Sequence, residues 1–271
     1  MNNSIVLIGC GNMGFAMLSG WMESAPAREI FVVEPFDEFR NRAEILGPSV
    51  VATIEELPEG IAPKLVILAV KPQMILPVLK KCSAVVAGSA TFVSVAAGIT
   101  MSAMATALPP FTPVIRCMPN TPAAIGEGMM ALCAGDTVSV EAKKMTEILF
   151  ATSGAVAWIE SEALMDAVTA ISGSGPAYVF HFIEALTSAG IALGLPEETA
   201  SLLARQTVAG SGRYAQKSQI SPKDLRIQVT SPGGTTAAAL NVFMTENRLS
   251  KLVAEATSAA RDRGAELGRA S

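Results

Sequence analysis

The sequence predicts an α/β fold, with a parallel sheet between helices in the N-terminal part and an all-α C-terminal part. Short apolar runs alternate with helical patterns up to about residue 160, and strand-like runs are absent beyond that point. The run at residues 65–70 is apolar at every position, which is typical of a parallel strand covered on both faces. We therefore predict two domains, at residues 1–160 and 161–271.

The individual elements follow from local signals. Apolar runs predict strands at residues 4–8, 30–33, 50–52, 65–70, 92–95 and 114–117. Helical patterns follow at residues 15–22 and 37–46, and the connections between parallel strands are expected to be right-handed. In the C-terminal part, Pro176 predicts the start of a long helix that residues 194–196 end, and Ser221 predicts the start of a capped helix.

Composition and charge exclude several function classes. Half of the residues are apolar and 16% are charged, which indicates a folded globular protein. With a formal net charge of −4 and no basic stripe, a nucleic-acid partner is not expected. His181 is the only histidine, and the four cysteines lack C-x-x-C spacing, so we predict no metal site and no Ser-His-Asp triad.

The cysteines and the longest apolar stretch bear on location. Cys10, Cys82, Cys117 and Cys133 are predicted to be free thiols in a reducing compartment. No signal peptide is visible, so we predict a cytoplasmic protein. The stretch 177–195 carries polar residues that a bilayer tolerates poorly, and we predict a helix buried against another subunit and no membrane span.

A glycine-rich motif, G-x-G-x-x-G, ends the first predicted strand and opens the first predicted helix. It comprises Gly9, Cys10, Gly11, Asn12, Met13 and Gly14. In this context it is the fingerprint of a Rossmann-type dinucleotide-binding domain, whose helix N-terminus faces the phosphates. Gly9 permits the tight turn, Gly11 lets the backbone approach the pyrophosphate, and Gly14 allows close helix–strand packing. A glycine-rich turn without a ligand is the alternative.

Glu34 follows 20 residues after Gly14, at the end of the second predicted strand. A carboxylate there can accept hydrogen bonds from the adenosine ribose and repels a 2′-phosphate, which predicts a preference for NADH. The alternative is a solvated surface glutamate before Pro35. Arg40 and Arg42 lie close enough in sequence to bind a 2′-phosphate, so both interpretations stay open.

Later strands end in segments that could face a ligand, because the carboxyl ends of parallel strands line the ligand crevice. These segments contain Ala69, Val70, Lys71 and Pro72, then Val95, Ala96, Ala97 and Gly98, and finally Asn120. Lys71 could contact phosphate or ribose oxygens, and Asn120 could orient a carboxamide or a ribose. An ordinary exit from strand to loop is the alternative for each.

Two glycine-rich segments lie in the C-terminal part. The segment 230–236 places glycines and hydroxyl residues before a helix, and its free N–H groups would form a nest for a small carboxylate. A plain capped turn is the alternative. The segment 172–178 is predicted to allow close packing of a helix or approach of a ligand. His181 and Glu184, three residues apart, are predicted to form a buried, satisfied pair and no catalytic dyad.

Taken together, these segments resemble the pyrroline-5-carboxylate reductase family. The matching segments, in the family's order over essentially the whole chain, are residues 9–14, 69–72, 95–98, 116–122, 172–178 and 229–236. The run Thr-Ser-Pro-Gly-Gly-Thr-Thr at 230–236 is the most specific of them. The resemblance favours the carboxylate nest over the plain turn at that segment.

The resemblance implies reduction of the cyclic imino acid 1-pyrroline-5-carboxylate to L-proline by NADPH or NADH. It implies a homodimer through the all-α C-terminal dimerisation domain, often assembled further into a decamer. The cofactor would contact residues 8–13, beginning with Ile8, together with residues 69–72 and 95–97. The substrate would lie between the nicotinamide and a segment containing Ser231, Gly233, Gly234, Thr235 and Thr236.

Within that segment, the resemblance makes the hydroxyl of Thr236 the catalytic group beside the imine nitrogen. Two residues depart from the family's pattern. Gln219 stands where many members carry a glutamate near the substrate, which puts an acid–base role there in doubt. Glu34 stands where NADP-preferring members carry a small or basic residue.

Two other functions fit part of the pattern. One is another two-domain NAD(P)-dependent reductase, such as a 3-hydroxy-acid dehydrogenase or an NADP:deazaflavin oxidoreductase. The dehydrogenase would need a helix-borne lysine or histidine, yet no lysine lies between Lys144 and Lys217. The other is a non-catalytic NAD(P)-sensing regulator, which would have no use for a carboxylate nest at 231–236.

Overall fold

The computed structural model of the chain describes residues 4–24, 29–86 and 90–269. The chain forms two compact units, one ending at Gly173 and resuming at Ala260, the other comprising Ser174–Ala259. The domain boundary between residues 160 and 161 stays a prediction. The segment just after it belongs to the first unit, in which Glu162 forms an ion pair with Arg116.

The first unit is built on one eight-stranded sheet. Its strands are β1 (Ile5–Ile8), β2 (Ile30–Val33), β3 (Ser49–Val51), β4 (Leu65–Leu68), β5 (Thr91–Ser94), β6 (Val114–Met118), β7 (Gly128–Ala134) and β8 (Gly154–Trp158). They lie in the order β3-β2-β1-β4-β5-β6-β7-β8, and all neighbours are parallel except β6 and β7. The order 3-2-1-4-5-6 is that of a Rossmann-type domain, which confirms the predicted fold.

Helices connect the strands and make up the second unit. The first unit contains α1 (Asn12–Ser24), α2 (Asp37–Glu44), α3 (Ile75–Val85), α4 (Met101–Ala105), α5 (Val140–Phe150) and α6 (Met165–Val168). The remaining helices are α7 (Gly175–Ala192), α8 (Glu197–Lys217), α9 (Pro222–Gln228), α10 (Thr235–Met244) and α11 (Arg248–Arg269). Short 3₁₀ turns lie at Ile54–Glu56, Pro72–Met74, Thr121–Ile125, Ala151–Ser153, Glu162–Leu164 and Thr245–Asn247, and a π-helical turn at Thr169–Gly173. The all-α C-terminal part is confirmed.

Strands β7 and β8 were not predicted from the sequence. Their residues are mostly glycine, alanine and methionine, which have weak strand propensity, and only Val156 is β-branched. Pairing with β6 on one side and β8 on the other places β7 in the core, where Met130 and Leu132 are fully buried. Tertiary packing therefore decides the conformation of this segment.

The core of the first unit lies on both faces of the sheet. Side chains alternate between the faces, so that Val6 packs towards α3 and α4 while Leu7 packs towards α1 and α5. On the second face the rings of Trp21 and Phe150 meet edge to face, with centroids 6.1 Å apart. All residues of β4 are buried, which confirms the prediction of a strand covered on both faces.

The second unit has almost no core of its own. Helices α7 and α8 pack closely, since a Cβ built at Gly190 would lie 3.0 Å from the Cβ of Ala200. Of the described residues 174–259, only Ala200 and Ala204 are buried. Apolar side chains such as Phe180 and Leu202 are exposed in the single chain. No described helix is long and apolar enough to cross a membrane.

Candidate functional site

Backbone hydrogen bonds bring three predicted cofactor segments together at the carboxyl ends of β1, β4 and β5. The N–H of Ala69 donates to the carbonyl of Ile8 at 2.8 Å, and the N–H of Val95 donates to the carbonyl of Leu68 at 3.1 Å. Because these strands are adjacent in the sheet, the segments that follow them share one edge. This is the edge at which open parallel sheets bind ligands.

The glycine-rich loop has a backbone geometry that excludes a side chain at Gly9 and at Gly14, while the approach of a pyrophosphate at Gly11 stays a prediction. Gly9 has a φ of +90°, and a Cβ there would lie 2.7 Å from the carbonyl oxygen of Ala69. A Cβ at Gly14 would overlap the carbonyl oxygen of Gly9. At Gly11 a Cβ would meet no atom within 4 Å, so that position faces open space. Helix α1 begins directly afterwards at Asn12, and its first N–H groups can receive a phosphate.

Glu34 braces this loop from the neighbouring strand. One carboxylate oxygen accepts a hydrogen bond from the N–H of Cys10 at 2.6 Å, and the other accepts one from the N–H of Phe36 at 3.0 Å. The residue is only 3% exposed, so the interpretation as a solvated surface glutamate is wrong. Each carboxylate oxygen can still accept a further hydrogen bond, so the side chain could also bind an adenosine ribose. That contact stays a prediction.

Two arginines lie beside the same loop. A guanidinium nitrogen of Arg42 donates to the carbonyl of Cys10 at 3.0 Å, and the group lies 4.1 Å from the centre of the Phe15 ring. Arg40 donates to the carbonyls of Glu34 and Pro35 and forms an ion pair with a neighbouring aspartate. Positive charge is therefore fixed near the carboxylate of Glu34, and binding of a 2′-phosphate stays open.

The four cysteines are buried, and their thiols are expected to be unreactive. Burial raises the pKa of the Cys10 thiol to about 11, with the Arg42 guanidinium opposing and the Glu34 carboxylate adding to the shift. The thiol in the glycine-rich loop is therefore neutral at physiological pH. All four cysteines are free and buried, as predicted. Among the described residues, no three histidine, cysteine or carboxylate side chains cluster as metal ligands would.

Lys71 and Asn120 have different surroundings. Lys71 is exposed at the end of β4, next to a 3₁₀ turn that begins at Pro72. The amide of Asn120 is engaged within the protein: its oxygen accepts from the N–H of Met129 at 2.8 Å, and its nitrogen donates to the carbonyl of Ser172 at 3.2 Å. These bonds tie the end of β6 to β7 and to the π-helical turn. Contact of either residue with a cofactor stays a prediction.

An ion pair between Arg116 and Glu162 was missed in the sequence. The arginine is 6% exposed in β6, and its guanidinium donates to the Glu162 carboxylate at 2.7 Å. The signal was present, because a buried arginine within an apolar strand requires a partner. The partner lies 46 residues away, so no local pattern identifies it. A cavity of about 380 Å³ beside the pair is also lined by Gly98, Thr100, Ser102, Asp166 and Gly268.

The glycine-rich segment of the second unit forms a tight turn before α10. The N–H of Gly234 donates to the carbonyl of Ser231 at 3.0 Å, and Gly233 has the positive φ, +71°, that a type II turn requires there. No side chain among the described residues caps α10, so the N–H groups of its first turn can bind an anion. Thr235 is exposed and Thr236 is half-buried.

The predicted pair on α7 is formed but exposed. The ring nitrogen Nδ1 of His181 lies 3.0 Å from a carboxylate oxygen of Glu184, and the side chains are 84% and 74% exposed. The prediction that this pair is buried is therefore wrong for the single chain. The cause is that α7 buries none of its residues within the chain.

Two family models match the sequence. Residues 162–267 match the one described as pyrroline-5-carboxylate reductase dimerisation. Residues 4–98 match the one described as NADP oxidoreductase, coenzyme F420-dependent, which covers only the dinucleotide-binding part.

Individual proteins are similar over nearly the whole chain. A pyrroline-5-carboxylate reductase from Pseudomonas aeruginosa is 40% identical, over 97% of this chain and 96% of its own length. The structure of such a reductase from Coxiella burnetii has a TM-score of 0.92 at 34% identity and covers 98% of this chain and 99% of that one. A Plasmodium falciparum pyrroline carboxylate reductase, crystallised with NADP bound, has a TM-score of 0.83 at 30% identity and covers 98% of each.

Proposed function

The chain belongs to the pyrroline-5-carboxylate reductase family, and from that premise we propose that it reduces 1-pyrroline-5-carboxylate to L-proline with NADPH or NADH. The observation that carries the proposal is the uncapped N-terminus of α10, because its free N–H groups suit a small carboxylate without any basic side chain. A regulator that only senses a dinucleotide would not need this second anion site.

The first unit fits a nicotinamide dinucleotide. The open space at Gly11 and the N-terminus of α1 suit a pyrophosphate, whereas side chains are excluded at Gly9 and Gly14. We propose that the cofactor binds along the carboxyl ends of the parallel strands. The residues that would contact it are Ile8, Gly9, Cys10, Gly11, Asn12, Met13, Gly14, Glu34, Ala69, Val70, Lys71, Pro72, Val95, Ala96, Ala97, Gly98 and Asn120. When bound, the reduced cofactor supplies the hydride.

The second unit supplies the groups that hold the imino acid. The backbone of Ser231, Gly233, Gly234 and Thr235 binds the carboxylate, and the hydroxyl of Thr236 donates a hydrogen bond to the imine nitrogen. As the hydride adds to the imine carbon, the nitrogen takes a proton from the Thr236 hydroxyl, which is reprotonated by water, and becomes the secondary amine of proline. Catalysis then depends mainly on alignment of two bound reactants, which can supply up to about 7–11 kcal/mol of the barrier.

The test of the proposed function is a steady-state assay that follows the loss of reduced nicotinamide. Oxidation of NADPH or NADH is expected to require pyrroline-5-carboxylate and to yield proline in equal amount. Binding of the dinucleotide without turnover would favour the sensing regulator. Turnover of a 3-hydroxy acid, with pyrroline-5-carboxylate inert, would favour the other reductases.

Cofactor preference is expected to depend on the charge of Glu34. We expect NADH to serve at least as well as NADPH, because the carboxylate repels a 2′-phosphate. Glu34→Gln is expected to raise the ratio of kcat/KM for NADPH to that for NADH about fivefold, equivalent to ~1 kcal/mol of repulsion. Glutamine keeps an oxygen for the N–H of Cys10 but loses the bond from the N–H of Phe36. Glu34→Ser leaves the N–H of Cys10 unpaired as well, at a cost of ~1–3 kcal/mol in stability.

The wild-type ratio decides whether this interpretation of Glu34 is right. If kcat/KM for NADPH exceeds that for NADH tenfold in the wild type, the carboxylate does not disfavour the phosphate. In that case Arg40 and Arg42, already fixed beside Glu34, are the residues to examine.

The active form is expected to be at least a homodimer. A unit with two buried residues and many exposed apolar side chains needs a second surface to cover it. Sedimentation at micromolar concentration is expected to show no monomer, and a decamer of five dimers is the larger assembly that we propose. A monomer with full activity would contradict both the homodimer and the decamer.

We also propose that the enzyme acts in the cytoplasm. The four cysteines remain free and buried, which suits a reducing compartment. Its partners in this proposal are its small-molecule ligands and further copies of the chain, with no nucleic acid and no membrane.

A further inference from the structure

One carboxylate oxygen of Glu162 joins two parts of the first unit. It accepts a hydrogen bond from the Arg116 guanidinium at 2.7 Å and another from the backbone N–H of Met101, also at 2.7 Å. Met101 is the first residue of α4, three positions after Gly98. The carboxylate therefore fixes the backbone just beyond the segment 95–98, which the proposed function assigns to the cofactor.

The segment 95–98 is also held at three other points. Val95 donates to the carbonyl of Leu68, and the N–H of Ala96 donates to the hydroxyl of Ser94 at 3.3 Å. At its end, Gly98 has a φ of +78° and lies so close to α11 that a Cβ built at Gly268 would be 3.1 Å from the carbonyl oxygen of Gly98. The remaining fixed point is Met101, whose N–H is bound to a side chain 61 positions away in the sequence.

The geometry of the pair suits a rigid anchor. The side chains of Arg116 and Glu162 are 7% and 26% exposed, so solvent screens the interaction only in part. Arg116 emerges from β6 in the middle of the sheet, and its planar guanidinium fixes the direction of the carboxylate. Thr100, the residue before α4, accepts a hydrogen bond from the N–H of Ala103, and Glu162 accepts the one from the N–H of Met101.

We propose that Glu162, oriented by Arg116, is a positioning residue that holds the cofactor-binding segment 95–98 in place through the N–H of Met101. This inference rests on the proposed function only in taking that segment as a cofactor contact. Loss of the anchor weakens NADPH binding and leaves the chemical step unchanged once the cofactor is bound. A merely structural ion pair would change thermal stability without changing cofactor affinity.

The experiment is a fluorescence titration of the full-length protein with NADPH in the absence of substrate. Glu162→Ala removes both hydrogen bonds and is expected to raise the Kd roughly tenfold. Glu162→Gln keeps an acceptor oxygen and is expected to raise it only about two- to threefold. Glu147→Ala is the matched control. It removes an exposed carboxylate on α5 that accepts a hydrogen bond from the indole N–H of Trp158 on β8, and the Kd of this variant for NADPH is expected to equal that of the wild type.

Two further readouts separate positioning from general damage. Amide hydrogen exchange of a peptide covering residues 95–104 is expected to speed up in Glu162→Ala and not in Glu147→Ala. At saturating NADPH, kcat of Glu162→Ala is expected to stay within about twofold of the wild type while KM for NADPH rises. Because the alanine variant leaves a buried guanidinium unpaired, it can fail to fold. Glu162→Asp, too short to reach both donors, then replaces it with the same expectation.

The outcomes are distinguishable from failure of the proposed function. A Kd equal to the wild type in the Ala or Asp variant, or a Gln variant no better than these, would overturn the positioning role. If the wild type binds NADPH but does not reduce pyrroline-5-carboxylate, the proposed function fails and the titration still tests Glu162.

Discussion

Gly14→Ala is expected to raise the dissociation constant of NADPH at least roughly a hundredfold, equivalent to ~2.7 kcal/mol. The added Cβ would overlap the carbonyl oxygen of Gly9, a backbone atom that cannot rotate away. Gly9 is itself fixed, since its N–H donates to the carbonyl of Val33 at 2.8 Å. Either the start of α1 or the whole loop must shift, and both movements displace the N–H groups that we propose to bind the pyrophosphate.

The same clash also lowers stability. Forcing an extra carbon into a packed site typically costs ~1–3 kcal/mol, so thermal unfolding of Gly14→Ala is expected several degrees below the wild type. Gly11→Ala is the matched control, because a Cβ there meets no protein atom within 4 Å. It is expected to unfold near the wild-type temperature and yet bind NADPH more weakly, since we propose that the pyrophosphate occupies the open space there.

Calorimetric titration with NADPH, paired with thermal unfolding, measures both effects. If Gly11→Ala binds NADPH as tightly as the wild type, the pyrophosphate does not approach at this position. If Gly14→Ala keeps wild-type affinity and stability, the backbone relaxes more freely than its hydrogen bonds suggest.

Thr236→Ala is expected to lower kcat/KM for pyrroline-5-carboxylate ten- to a hundredfold. The hydroxyl follows the turn that we propose to hold the carboxylate, and one ring carbon separates the substrate's nitrogen from its carboxyl carbon. As the hydride adds to the carbon of the neutral imine, negative charge develops on the nitrogen. A hydrogen bond to a charged group contributes ~1.5–3 kcal/mol, which sets the size of the effect. Thr236→Ser keeps the hydroxyl and is expected to retain most of the activity.

Folding of Thr236→Ala is expected to survive, since such a change at a helix start costs only ~1 kcal/mol. Thr257→Ala is a suitable control in α11, because that hydroxyl is bound to the carbonyl of Val253 at 2.8 Å in its own helix. Steady-state constants are to be measured on protein shown to be folded and oligomeric. Wild-type kcat/KM in Thr236→Ala would mean that Thr236 is only part of the helix start and that the proton comes from water.

Local signals in the sequence were sufficient for most of the first unit. The tight turn of the glycine-rich loop was predictable from the sequence, because Gly9 and Gly14 each meet a steric requirement of the loop or the adjacent strand, whereas a Cβ at Gly11 would meet no protein atom. The helix start at Ser221 was equally local: its hydroxyl accepts from the N–H of Asp224 at 3.2 Å. Predictions of this kind depend on residues within a few positions of each other.

What was missed depends on residues far apart in the chain. The burial of Glu34 follows from its bond to the N–H of Cys10, 24 positions earlier, and no pattern around Pro35 indicates it. The engagement of Asn120 with Ser172 spans 52 positions. The exposure of His181 and Glu184 was missed for another reason. An apolar helix has the same sequence pattern whether it packs against its own chain or against another subunit.

The division of the first unit into two stretches of chain has a consequence for how it is made. Residues 174–259 are an insertion within that unit, and α11 carries the chain back so that Gly268 packs on Gly98. During synthesis the sheet can form early, but its last contacts must wait until residues 260–269 have left the ribosome. The nascent dinucleotide-binding unit is therefore completed only after all of the helices between have been translated.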